Sequence, residues 1–195
     1  MKKVLSLMAV IIWGLTCSVH AVKKEDIAAR AEGKASNIFQ EVKDGEHPPK
    51  GSADLVIKAS IKSNAEGHFL IEPRKPSKQE AGYPFVLNID GQGMMVKAES
   101  KKEDRPVHEK GKRHPEGGKG VQYAIEKKIR LAAGQHKVFF GLPEAGYAIE
   151  TAITLNDGTN VLEFRPVYRR HRDNVRHFAH GLSRYEVFLN GNRVK

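Results

Sequence analysis

The chain has 195 residues, a single cysteine and a formal net charge of +10, from 33 lysines and arginines against 23 acidic residues. That length suits one domain with a real core plus appendages. A lone cysteine excludes a disulfide-stapled scaffold, and the positive balance favours anionic neighbours.

In chain order the first feature is a basic end at Lys2 and Lys3, an apolar run from Val4 to Leu15, and a polar stretch from Thr16 to His20 ending at Ala21. This is the three-part layout of a secretory signal peptide. The apolar run is well short of the roughly twenty residues that a membrane-crossing helix needs, which favours cleavage after Ala21 over permanent anchoring. Residues 1–21 are read as a signal, and the mature chain as periplasmic or extracellular with no transmembrane segment. A competing reading makes Cys17 a lipid-attachment site, but Thr16 stands directly ahead of it where a small residue is usual. With cleavage the mature chain loses its cysteine, and with it any thiolate metal ligand, cysteine nucleophile or covalently attached haem.

From Glu25 to Val42 the residues Ile27, Ala31, Ala35, Ile38, Phe39 and Val42 recur at three- and four-residue steps. The spacing predicts one amphipathic helix, weakened by Gly33, for which docking on its own domain is the commonest use. Gly45, Pro48, Pro49, Gly51 and Ser52 mark residues 43–52 as linker. Residues 22–52 are thus helix and linker, and 53–195 the main domain.

The period then changes to two. Leu55, Ile57, Ala59 and Ile61 alternate with Lys58, Ser60 and Lys62 as a half-buried strand. A short segment, His68 to Glu72, and a loop from Pro73 to Pro84 follow. Phe85, Leu87 and Ile89 run into the turn chemistry of Asp90 and Gly91 and on to Met94 through Ala98. Residues 97–120 carry eight basic and five acidic side chains, with Val107 almost alone among apolar ones. Such a segment buries too little to offset its ordering entropy, which predicts a mobile basic excursion out of the sheet. Four strands come next: Val121 to a turn at Gly134, His136 to Leu142, Tyr147 to Ile153, and, after a turn at Asn156, Asp157 and Gly158, Val161 to Val167. The segment Arg169 to Arg184 loses the alternation and holds one helical turn or a long loop. Tyr185 to Leu189 is the last strand. Short strands joined by glycine turns predict an all-β, antiparallel sandwich preceded by one N-terminal helix.

The order VLNIDGQ, IRLAAGQHKVFF and YAIETAITLNDGTNVLEF resembles the PEGA-type and related immunoglobulin-like β-sandwich domains of bacterial envelope proteins. Asp90 with Gly91, Gly134 with His136, and Gly158 stand at the turn positions such domains commonly show. The likeness spans about 80 residues, and the chain departs from it at 97–120 and in the arginine-rich tail after Tyr168. It implies an immunoglobulin-like module for adhesion, scaffolding or polymer contact, without catalysis.

No nucleophile elbow, zinc-protease, phosphate-loop or haem-attachment spacing occurs, and no cofactor is expected. Two readings compete for the tail. Arg165, Arg169, Arg170, Arg172, Arg176 and Arg184 make a basic face able to form forked hydrogen bonds to phosphate or carboxylate. Lys101, Lys102, Arg105, Lys110, Lys112, Arg113 and Lys119 add to it. The expected partner is an anionic envelope polymer or an envelope protein, not nucleic acid. In the alternative, His171, His177 and His180, with Asp173 between them, hold a divalent metal, since His177 and His180 share a face if the segment is helical.

Overall fold

The computed structural model describes residues 23–42, 47–64, 82–170 and 175–195. The signal layout with Cys17, the segment His68 to Glu72 with most of the loop after it, and His171, Arg172 and Asp173 lie outside the described residues.

The elements are α1 (Lys24–Ala29), β1 (Phe39–Glu41), β2 (Ser52–Ser63), β3 (Tyr83–Ile89), β4 (Gln92–Ala98), β5 (Ser100–Arg105), β6 (His108–Glu109), β7 (Lys112–Arg113), β8 (Gly118–Ala132), β9 (Gly134–Leu142), β10 (Tyr147–Leu155), β11 (Gly158–Tyr168), β12 (Leu182–Leu189) and β13 (Asn192–Arg193). Short 3₁₀ turns stand at Pro143–Ala145 and Phe178–His180. Among the described residues the strands form a seven-stranded sheet in the order β1-β8-β2-β11-β12-β13, with β5 also on β8. A four-stranded sheet runs β10-β9-β3-β4, and β6 and β7 make a small hairpin of their own. The fold is therefore all-β with one short helix. The antiparallel expectation needs one correction: β2 and β11 run parallel, Ala53 opposite Gly158 through Ala59 opposite Phe164. A parallel pair needs a long crossover, and here the chain between the two strands builds the whole second sheet.

Alternation decides which face of each strand is buried. Leu55, Ile57, Ile129 and Leu162 of the larger sheet meet Phe85, Leu87, Val138 and Phe140 of the smaller one in a single core. Phe140 stacks on Phe164 at 4.1 Å between centroids, and Tyr185 meets Phe140 edge-on at 5.0 Å. Each such fully buried side chain contributes about 1.5–3 kcal/mol of hydrophobic stabilisation.

The predicted helix over 25–42 is corrected to six residues. Gly33 and Asn37 both take a left-handed backbone, at φ +55° and +64°, which no helix continues through. Residue 33 must be glycine, because a Cβ there would sit 2.5 Å from the Gly93 amide nitrogen. The short helix docks on its own domain: Ile27 is fully buried on the outer face of the smaller sheet with Val86 and Phe139. Asn88 donates to the Arg30 carbonyl at 2.9 Å. Beyond it the Lys34 and Ala35 amides donate to the Gly91 carbonyl at 2.9 and 3.2 Å. The Gln92 side-chain oxygen then accepts from the Ile38 and Phe39 amides at 2.7 and 3.1 Å. The segment is a strap that starts on one sheet, passes the tip of the β3–β4 hairpin and ends as an edge strand of the other.

Residues 97–120 are not an excursion out of the sheet. Ser100 through Arg105 pair residue for residue with Tyr123 through Gly118 of β8. Only the β6–β7 hairpin projects, with Val107 exposed at its base.

Candidate functional site

The long strand β2 ends at Lys62 and Ser63, beside the start of β8. Alternation puts Lys62 on the polar outer face with Lys58 and Ser60, yet its side chain is fully buried. The cover comes from the two basic segments. Lys62 Nζ donates to the Glu116 and Gly118 carbonyls, both at 2.8 Å, and pairs with Glu103 at 3.2 Å. The Phe178 ring lies 5.0 Å from the same nitrogen. Gly120 makes room for this stack, since a Cβ there would come within 2.8 Å of the Lys62 side chain and 3.0 Å of Phe178.

A second layer of bonds surrounds the first. Arg105 donates to Glu103 at 2.8 Å and to Glu116 at 2.9 Å. The Tyr168 hydroxyl accepts from the Lys62 amide at 2.9 Å and donates to Glu116 at 2.8 Å. Burial, followed by the Glu116 carboxylate, raises the Tyr168 hydroxyl far above the ordinary tyrosine value, which keeps it a donor. Burial pushes Glu103 up as well, but Arg105 and Lys62 outweigh it and hold its carboxyl below the ordinary value. Buried charges of this kind are tolerated because each finds a partner.

The two basic segments, some 60 residues apart in sequence, meet over this network. The Phe178 amide donates to the Pro115 carbonyl at 2.9 Å, and His177 Nε2 donates to the Gly117 carbonyl at 2.8 Å. Residues 100–120 carry a net +3 and the described residues 169, 170 and 175–184 a net +4, so one end of the larger sheet concentrates +7 of the chain's +10.

The structure divides the arginines proposed from sequence. Arg165 and Arg184 are exposed on the outer face of the sheet, but each is committed to its own carboxylate, Glu163 at 2.6 Å and Glu186 at 3.0 Å. Arg165 also lies 4.1 Å over the Phe188 ring. Between Arg165 and Lys58, a shallow depression of about 350 Å³ is bordered by the charge-balanced pairs Lys58–Glu126 and Glu163–Arg165. Arg169 and Arg170 leave the end of β11 as exposed side chains, and Arg170 makes an isolated bridge with the half-buried Arg176. Exposed beside them on the other segment are Lys101, Lys102, Lys110, Lys112, Arg113 and Lys119. Arg172 lies outside the described residues.

His177 stands just ahead of the 3₁₀ turn and His180 is its last residue, with ring centroids 5.8 Å apart. Both nitrogens of His177 are engaged, because Nδ1 accepts from the Ala179 amide at 3.3 Å while Nε2 donates to Gly117. No lone pair of that ring faces a cation. Among the described residues no group of three or more histidine, cysteine or acidic side chains is placed to hold a metal.

Sequence reasoning missed Lys62, Glu103, Glu116, Tyr168 and Phe178 as a unit. The one signal available was Phe178, a large apolar residue in an otherwise basic segment, which needs something to pack on.

Comparison with known proteins found no matching protein family, no matching curated protein and no matching solved structure. Among the described residues no helix is long and apolar enough to cross a membrane.

Proposed function

We propose that this chain is an exported, non-catalytic binding module of the cell envelope, an immunoglobulin-like sandwich of the PEGA-type class that holds an anionic polymer on the basic end of its larger sheet. Two packed sheets linked by hairpins and glycine turns support the architectural part. The observation that carries the functional part is the convergence of residues 97–120 and 169–184 through the Pro115–Phe178 and Gly117–His177 bonds. Cations that could have repelled one another are fixed side by side. Two of the five carboxylates of residues 97–120, Glu103 and Glu116, are engaged by the buried network, while Glu99, Asp104 and Glu109 stay exposed. What remains at the surface is an extended array in which ammonium and guanidinium groups outnumber the carboxylates. Such an array suits a repeating phosphate, sulfate or carboxylate polymer, which meets many cations at once.

Titration of the mature chain with fluorescent heparin as the polyanion probe tests this. Affinity is expected to fall steadily with added salt, because exposed charges are screened over about 8 Å at physiological ionic strength. Changing Lys101, Lys102, Arg169, Arg170 and Arg176 to glutamine should remove most of the binding. Binding that is indifferent to salt or to these five changes overturns the reading, and selective binding to anionic vesicles would replace the polymer with a membrane surface.

A further inference from the structure

We propose that Lys62 is the positioning residue of the basic end: it latches both basic segments to the core sheet and so presents them as one rigid surface. The proposal rests on the polymer-binding reading above and says how that site is held together.

An ammonium group has three donors. At Lys62 two of them go to the Glu116 and Gly118 carbonyls, and the charge pairs with the Glu103 carboxylate, all in the segment 97–120. The other segment is held by the Phe178 ring over the same nitrogen. Lys62 itself sits on β2, which is paired on one side with β8 over twelve residues and on the other with β11. One side chain thus connects a firmly held strand to both segments. The Tyr168 hydroxyl reinforces it by bridging the Lys62 amide and the Glu116 carboxylate. Since the Lys62 side chain is fully buried, it cannot touch a polymer lying on the surface. Its contribution to binding is the ordering of the segments before the ligand arrives, which lowers the entropy cost of association.

The test compares the full mature chain with K62M and Y168F in two measurements. In K62M, backbone amides over 106–117 should exchange with solvent at least about tenfold faster, while β3 and β9 keep their protection. Heparin affinity should fall about fivefold or more as the preordered surface is lost. The salt dependence of that affinity should stay as in the parent, because no surface cation has been removed. Y168F, which keeps its ring in the core, should shift both readouts in the same direction by less, and it decides alone if K62M loses its strand signal altogether. Unchanged exchange over 106–117 in the folded variants overturns the latch. So does a loss of affinity with a shallower salt slope, which would mean that Lys62 contacts the polymer directly. Failure of the parent chain to bind heparin would remove the functional reading only, since the exchange measurement needs no ligand.

Discussion

At the level of single residues, two glycines serve different physical ends and should respond differently to the same change. Gly158, after Asn156 and Asp157, has φ +94° with nothing within 4 Å of a Cβ built there. Alanine at this position meets only backbone strain, and a loss of about 1 kcal/mol is expected by thermal or denaturant unfolding. Gly93 has an ordinary φ, yet a Cβ would lie 2.3 Å from the Arg30 carbonyl oxygen. Alanine there must push the strap off the β3–β4 hairpin, and the expected cost is larger, about 1–3 kcal/mol. Asp54 is the third informative residue. It is fully buried on the outer face of β2, where Arg130 donates to it at 2.7 and 3.2 Å and Lys128 pairs at 3.3 Å. The Arg130 hydrogen bond, with Lys128 adding to it against the cost of burial, holds its carboxyl below the ordinary value. A depressed native carboxyl binds its proton later than the unfolded one, so its stabilisation is complete above the unfolded value of about 3.9 and is lost as pH falls from there through the lower native value. Urea midpoints measured as a function of pH should therefore drop on the acid side in the parent chain and show a shallower drop in D54N.

At the level of elements, the helical end of the strap from Lys24 to Glu41 is anchored by one buried side chain. Ile27 fills the space above Gly141, where a Cβ would approach within 2.5 Å of it, and it is fully buried between Val86 and Phe139. I27A removes that contact, with an expected loss of about 2–4 kcal/mol for a large-to-small change at a buried site. The loss should be local: trypsin should cut after Arg30 and Lys34 several-fold faster, as expected for sub-global opening, while the strands remain intact. Uniform acceleration at all sites would show instead that the strap is part of the global unit. The strands themselves were legible in the sequence wherever one face is buried, as in Leu55 to Ile61 or Phe85 to Ile89, because burial imposes the period of two. The strap was not. Ala35, Ile38 and Phe39 carry helical spacing, but the left-handed turns at Gly33 and Asn37 are set by contact with the β3–β4 hairpin, which is remote in sequence. The segment 97–120 failed for a related reason. Its composition predicts disorder only when charges must be solvated one by one, whereas here Lys62, 41 residues before Glu103 in the chain, supplies a buried partner. Of the candidate site, the arginines were visible as a run. That Arg165 and Arg184 are committed to Glu163 and Glu186 follows from a two-residue spacing that puts each pair on one face of a single strand, a local pattern that the reading of the arginines as a run passed over.

At the level of the whole molecule, the charge distribution matters more than its total. Outside residues 1–21, 97–120 and 169–184 the chain has 18 basic and 17 acidic residues, so the body is nearly neutral and the basic end carries almost all of the excess. Net charge alone and a localised site therefore make opposite forecasts for variants of equal charge. Lys34 and Lys50 are both exposed. Lys34 lies at the tip of the β3–β4 hairpin, which meets the start of β9 just after Ala132. Lys50 stands just ahead of Ser52, which lies opposite Ala132 at the far end of the larger sheet. The basic end begins eleven residues farther along β2, at Ser63, a distance of about 36 Å at the usual rise per residue. That is several screening lengths of about 8 Å each. Replacing Lys34 and Lys50 by glutamine lowers the net charge by two without reaching the site, and heparin affinity should stay within about twofold of the parent's. Replacing Arg169 and Arg176 lowers the net charge equally. Each cation near an anionic surface contributes about 1 kcal/mol, so this pair should lower affinity about tenfold or more. The double change of Arg165 and Arg184 should fall between the two, because their carboxylate partners would be released at the same time. Exposed ion pairs of that kind contribute about 0–1 kcal/mol, so its effect on unfolding should be small. Equal losses for the Lys34/Lys50 and Arg169/Arg176 pairs would mean that the polymer responds to net charge, and that the junction of the two basic segments has no special part in holding it.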